Sequence, residues 1–391
     1  MIERFFAPCP RGLEAPLAEE LSAQGAQFVA PAEGGVAFSG PRELAYHANL
    51  ESRLASRILW QVAHGRCGNE DELYQLARGI EWANHFRVER TLRVDVAATG
   101  STLPSLEFAT LKVKDAVCDR FRDDTGKRPS VDKQRPDVRV HAYLTAREAT
   151  IYLDTSGEPL FKRGWRRDAD AAPLRENLAA GIIALSGWKP GTPFLDPMCG
   201  SGTIAIEAAA LAADRAPGLT RTFGFQKLAW FDGPTWQRIR QHARDRLRRA
   251  PSAPPIVASD LDSQALERTR GNAAAAGVAE WISVEQADVL TRAAPAPAGV
   301  MLANPPYGIR LHDEHAMAAF YPQLGDALKR RFAGWTAFFL TGDMRLTQLI
   351  GLKPSRRTPL RNGNIECRLF RFEIVAGRPT RSAAPGPAVS Q

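Results

Sequence analysis

From residue 190 onward the chain alternates strand-like apolar runs with loops and apolar-periodic helices, five strands in all. "GTPFLDPMCGSGTIAIEAAALAAD" (191–214) reads as strand, glycine-rich turn and helix. "PIVASDLDSQALERTRGNAAAAG" (255–277) repeats strand, acid and helix. "ISVEQADVL" (282–290), "GVMLANPPYG" (299–308) and "GWTAFFLTGD" (334–343) supply three more strands, with a helix over 317–333 before the last. Such alternation predicts a parallel sheet wound on both faces. "CRLFRFEI" (367–374) is expected to join its edge antiparallel. Ligands of such sheets lie outside the carboxyl ends of the strands. Asp196, Asp260, Asp288 and Asn304 all fall at those ends.

The chain's 391 residues exceed the usual single domain of about 100–200 residues, so two or three domains are expected. Residues 1–50 read as a small α/β unit. Leu13, Leu17 and Leu21 stripe a helix that stops at Gly25, and a hairpin turns at 31–35. Residues 51–155 read as a second α+β unit. It has a helix capped by Asn69, a longer helix offering Leu111, Ala116 and Cys118 to a core, and two strands around a turn at 145–148. A linker with a helix spans 156–189, the alternating unit spans 190–375, and 376–391, rich in Pro, Ala, Gly and Ser, reads as a disordered tail.

A net charge of +8 and a pI near 9.4 favour a polyanionic partner. Three basic groups could track phosphates: residues 112–135, the cluster Lys162, Arg163, Arg166 and Arg167 around Trp165, and the arginines of 238–249. The Trp165 cluster also suits a tight seam between domains. Five sparse cysteines show neither metal-ligand spacing nor a disulfide framework, which fits reduced thiols and predicts no metal. With no long apolar run and no signal-like start, a cytoplasmic protein without membrane contact is expected.

"DPMCGSGT" (196–203) joins a strand to a helix, and Gly200, Gly202 and Ala205 match a loose dinucleotide pattern. Two features argue against a pyrophosphate cofactor. Asp196 would repel it, and the next strand-end acid, Asp260, stands nearly 60 residues on instead of about 20. A cofactor with an adenine, a ribose and a cationic centre fits better, which points to S-adenosylmethionine. Asp260 or Asp262 would then hold the ribose, Asp260 preferred because Asp262 suits a helix cap, and Asp288 could accept from the adenine amine. At "NPPY", the Asn304 side-chain oxygen and the Pro305 carbonyl could accept the two N–H groups of an exocyclic amine. The prolines stiffen the corner, and Tyr307 could stack on the base. This chemistry does not separate guanine N2 from adenine N6.

"DPMCGSGT" followed by "NPPYG" resembles the class I S-adenosylmethionine-dependent amino-methyltransferases, and the front half resembles the THUMP RNA-binding module with its ferredoxin-like leader. "GLEAPLAEEL", "ESRLASRILW", "LKVKDAVCDRF", "PLRENLAAGII", "AADRAPGL" and "NGNIEC" extend the resemblance over about 1–375, to the bacterial 23S ribosomal RNA guanine-N2 methyltransferase family RlmL. The resemblance implies a doubly wound, Rossmann-like class I methyltransferase sheet behind an α+β ferredoxin-like and THUMP region. It implies that Asp196, Gly200 and Gly202 hold the cofactor's methionine end, Asp260 its ribose and Asp288 its adenine. Asn304, Pro305, Pro306 and Tyr307 would form the amine-binding corner. The partner it implies is 23S ribosomal RNA or an assembling large-subunit particle, bound through the THUMP region. The second methyltransferase of the fused family members, which forms 7-methylguanine, is expected to be absent from this chain. A transfer-RNA guanine-N2 methyltransferase and a non-catalytic assembly factor are the rival expectations.

Overall fold

The computed structural model describes residues 2–166, 174–252, 255–305 and 314–375. In the front half, β1 (Glu3–Pro8), α1 (Glu14–Ala23), β2 (Gln27–Ala32), β3 (Gly35–Gly40), α2 (Leu44–Glu51), β4 (Leu59–Arg66), α3 (Glu70–Arg78), β5 (Leu92–Ala98), α4 (Leu106–Thr125), β6 (Val138–Leu144) and β7 (Glu148–Asp154) follow in order. Their strands form one sheet, β2-β3-β1-β4-β7-β6-β5. The two units expected on either side of residue 50 therefore share a sheet, joined where β1 meets β4 at Phe5–Trp60 and Phe6–Leu59. Leu13, Leu17 and Leu21 are fully buried and lay α1 on this sheet. Asn69 caps α3 by accepting from the Glu72 amide.

Helix α4 buries Ala116 and Cys118 as expected, but Leu111 stands 45% exposed. The buried stripe runs through Ala109, Val113, Ala116, Val117 and Phe121. Leu111, two residues past Ala109, is turned about 200° from it.

The second half comprises α5 (Glu176–Ser186), β8 (Phe194–Asp196), α6 (Thr203–Ala212), α7 (Gly233–Asp245), β9 (Ile256–Asp260), α8 (Ser263–Ala276), β10 (Ile282–Gln286), β11 (Gly299–Ala303), α9 (Glu314–Arg331), β12 (Trp335–Thr341), β13 (Arg356–Asn362) and β14 (Ile365–Glu373). The sheet runs β10-β9-β8-β11-β12-β14-β13, with the first five strands parallel. It is the doubly wound parallel arrangement that the alternation predicts, and it agrees with the Rossmann-like sheet that the resemblance implies. Strand order reverses between β8 and β11, which opens a crevice at their carboxyl ends. β14 is not the edge. It pairs antiparallel with β12 on one side and with β13 on the other. β13, "RRTPLRN", has no apolar alternation to announce it, and its Pro359 is tolerated because it lies at an edge.

Residues 214–250 interrupt the alternation to join the halves. Tyr46 of α2 packs against Phe225 and Trp230 at ring separations of 4.7 and 5.3 Å, and its hydroxyl accepts from the Asp232 amide. Trp236 of α7 closes the same cluster. No helix among the described residues is long and apolar enough to cross a membrane. The five cysteines are buried, and none is in a disulfide among the described residues.

Candidate active site

A cavity sits at the strand reversal. Pro197–Ser201, Thr203 and Ile204 wall it after β8, Asp260 and Leu261 after β9, Ala287–Val289 after β10 and Asn304 after β11, with Leu174 and Phe320 closing the sides. Four residues expected from the sequence meet there: Gly200, Asp260, Asp288 and Asn304. The reason is topological. Parallel strands all present their carboxyl ends on one side, so strand-end residues far apart in the chain converge.

The glycine turn is held from outside itself. The Gly200 amide donates to Asp260 Oδ2 at 2.9 Å, and the Thr269 hydroxyl of α8 donates to the Gly200 carbonyl at 2.9 Å. Gly200 has a positive φ of 54°, and a Cβ built there meets nothing within 4 Å, so its backbone is open to a ligand. Gly202 does not line the cavity. At φ 83°, its Cβ would stand 2.7 Å from the Thr269 methyl, so its glycine lets α6 and α8 approach. Asp260 Oδ1 also accepts from the Asp262 amide at 3.1 Å, while Asp262 caps α8 through the Gln264 amide. Asp288 Oδ1 accepts from the Leu290 amide and so shapes its own turn while facing the cavity.

Asp196 is placed behind the wall, 1% exposed, and is not among the cavity residues. Neither carboxylate oxygen has a hydrogen-bond partner among the described residues. Burial, and then the Asp260 carboxylate, push its pKa well above the usual range; the Met198 and Ala205 amides pull it down without completing hydrogen bonds. Asn304 Oδ1 is likewise buried and without a partner among the described residues, but it belongs to the cavity wall. Pro305 is buried and is not a lining residue. Pro306 and Tyr307 lie outside the described residues.

The basic cluster around Trp165 does not form an open clamp. Trp165 is 7% exposed, and Arg163 is buried against Glu207 at 3.3 Å. Arg166 reaches the glycine turn, donating to Ser201 Oγ at 3.3 Å and Thr203 Oγ1 at 3.0 Å while pairing with Glu176 at 3.0 Å. Of that cluster only Lys162 is solvent-exposed among the described residues; Arg167 lies outside them. In 238–249, Arg238, Arg244, Arg248 and Arg249 are exposed, whereas Arg240 lies over Trp236 and Arg246 pairs with Glu51. In 112–135, most helical cations pair with acids nearby, as Arg120 does with Asp124 and Lys112 with Asp71.

Sequence reasoning missed Leu261, which stands 65% exposed at the cavity. An apolar residue directly after a strand-end acid is the signal that could have found it. It also missed the Arg166 contacts, which no local pattern announces.

The residues fit the cofactor expected from the sequence. Acceptors at Asp260 and Asp288 flank an open glycine turn, Leu261 offers an apolar face, and an unpartnered acceptor waits at Asn304.

Comparison with known proteins matches residues 163–371 to the RMKL-like methyltransferase-domain family, 67–154 to the THUMP domain and 4–59 to the RlmL ferredoxin-like domain. The ribosomal RNA large subunit methyltransferase K/L of Methylococcus capsulatus is 41% identical, over 98% of this chain and 53% of its own length. The chain thus spans about half the length of the curated relatives it matches. Among solved structures, SMU.472, classed as a methyltransferase and complexed with SAH, is 30% identical with a TM-score of 0.86, over 97% of this chain and 99% of that one. A Listeria monocytogenes protein described as an N6-adenine-specific DNA methylase is also 30% identical with a TM-score of 0.86, over 95% of this chain and 96% of that one.

Proposed function

Because the chain belongs to the RMKL-like methyltransferase-domain family, preceded by THUMP and RlmL ferredoxin-like domains, we propose that it methylates N2 of a guanine in 23S ribosomal RNA. S-adenosylmethionine would supply the methyl group. The observation that carries this reading is the Asn304 oxygen, buried, without a partner among the described residues and set in the wall of the same cavity as Gly200, Asp260 and Asp288.

An amine lone pair conjugated with its ring is a poor nucleophile. An acceptor fixed in a dry wall orients the N–H and favours the charge that develops on nitrogen. Asn304 takes that role, with the Pro305 carbonyl as second acceptor and Pro306 and Tyr307 completing the corner. Asp260 and Asp288 take the ribose and the adenine amine, and Leu261 packs on the adenine face. Gly200 lets the methionine end approach the backbone, Gly202 acts from behind by letting α6 and α8 approach beneath the turn, and Asp196 stands behind the same wall. Among the described residues no side chain in the cavity is arranged as a strong base, so the amine proton leaves to solvent after transfer. The domains run 1–50, 51–155, 156–189 and 190–375 with a tail after, and 156–189 serves the catalytic unit through Arg163 and Arg166. The front half and the exposed arginines Arg238, Arg244, Arg248 and Arg249 supply RNA contacts, on free RNA or an assembling particle in the cytoplasm.

Adenine N6 is the second reading. It is favoured by the same acceptor geometry and by the described activity of the Listeria relative. Mass mapping of ribosomal and transfer RNA from cells lacking the gene tests the proposal. Loss of one N2-methylguanine from 23S ribosomal RNA is expected. Intact ribosomal RNA with a missing transfer-RNA mark, or loss of an N6-methyladenine, would overturn it.

A further inference from the structure

A second depression lies where the front half meets the 214–250 segment. It is lined by the loop before β6 (Gln134–Asp137), by Arg139, by the turn after β7 (Ser156–Glu158) with Lys162, and by Thr222–Gly224 with Lys227. Four cations, Arg135, Arg139, Lys162 and Lys227, face two carboxylates, Asp137 and Glu158, which leaves an excess of two positive charges. The carboxylates hold the cations in place. Asp137 binds Lys227 at 2.7 Å, and Glu158 binds Lys162 at 2.8 Å and Arg139 at 3.6 Å. Arg135 is exposed and has no ion-pair partner among the described residues, and Asp132 fixes its loop by accepting from the amides of Gln134 and Arg135.

The floor of this cleft is rigid. The Phe225 amide donates to the Thr155 carbonyl at 2.8 Å, and a Cβ on Gly224 would come within 2.9 Å of the Asp154 carbonyl. The two halves thus touch backbone to backbone beneath the cations. The cleft also leads somewhere. Lys162 lines both it and a neighbouring depression that contains Arg166 and Leu174, and Leu174 lines the cavity that holds Asn304.

We infer that this cleft holds the sugar–phosphate backbone of the RNA strand that carries the target base, with Arg135, Arg139, Lys162 and Lys227 on the phosphates. A cationic trough with a stiff floor matches a polyanion whose contacts carry no sequence information. The base must leave its helix to reach Asn304, and a backbone clamped one depression away sets where it enters. The inference rests on the RNA-methylation reading.

The test uses the whole chain, S-adenosylmethionine and a transcript of 23S ribosomal RNA. Arg135→Glu with Lys162→Glu should weaken RNA binding about tenfold or more and lower the slope of log affinity against log salt by about two, with cofactor affinity unchanged. A matched double reversal, Arg330→Glu with Arg331→Glu, places the same charge change at the exposed end of α9, on the amino side of the second sheet, and it should stay within about twofold of the parent protein. Should the cleft variant misfold, Arg135→Gln with Lys162→Gln keeps the test, with the slope again falling by about two. Equal losses in the cleft and control pairs, or no loss in the cleft pair, would overturn the cleft while methylation by the parent protein keeps the functional reading. Failure of the parent protein to bind or methylate the transcript would overturn both.

Discussion

Two residues at the strand ends bear on the proposed chemistry in opposite ways. Asn304 leaves its oxygen unspent in the cavity wall. Asn304→Ala should therefore lower kcat about a hundredfold to a thousandfold while cofactor affinity, read by calorimetry, stays nearly constant. Normal turnover would exclude the acceptor role. Asp196 is different, because it is buried with no completed hydrogen bond and beside the Asp260 carboxylate. Its folded pKa lies above the ordinary value, so the folded state holds the proton more tightly than the unfolded chain. Its contribution to stability is whole below the ordinary carboxylate pKa of about 3.9 and is lost as pH rises toward the folded value. Asp196→Asn should then melt about 3 °C higher than the parent at pH 7 without cofactor, and the gap should close as pH falls to about 4. A gap that widens on acidification would reverse this account of Asp196.

At the scale of elements, the glycine turn is a product of its neighbours. Asp260 from β9 holds the Gly200 amide, Thr269 from α8 holds the Gly200 carbonyl, and Arg166 holds Ser201 and Thr203. Gly202→Ala would combine a positive φ with a 2.7 Å clash against Thr269. It should cost about 2–4 kcal/mol in urea unfolding and weaken cofactor binding through a displaced turn. Adding Thr269→Ala should recover part of the loss, since it removes the clash and leaves the strain. Unchanged stability in Gly202→Ala would show that α6 and α8 can separate freely. Much at this scale was legible in the sequence. Apolar runs and helical stripes located α1, α3, β9 and α8, and the Asn69 cap was readable. β13 was not, because an edge strand with one solvated side needs no apolar alternation. The exposure of Leu111 was not, because one apolar residue on a helix does not reveal which stripe wins the core.

Across the whole molecule, the halves are fastened by groups that resembled an RNA clamp. Arg163 is buried, pairs with Glu207 after the glycine turn, and donates to the carbonyls of Leu160 and Arg53. Tyr46 and the aromatics of 223–236 complete the seam. Arg163→Ala should destabilise the protein by about 3–5 kcal/mol, because it strands the Glu207 carboxylate in the interior. Arg163→Met with Glu207→Leu should lose clearly less, since no buried charge remains unpaired. Two unfolding transitions in the single variant, read by urea titration, would mark separation of the halves. An equal loss in both variants would assign the effect to packing alone.

The sequence by itself determined the alternating sheet and the strand ends where the candidate site residues gather. These follow from local periodicity and from the rule that parallel strands share one carboxyl side. Only the tertiary structure decided that Asp196 and Gly202 stand behind the wall, that Arg163 and Arg166 turn inward, and that one sheet spans residue 50. Those outcomes depend on which distant surfaces meet, and a charged residue reads the same in sequence whether it ends in a seam, at a glycine turn or in water.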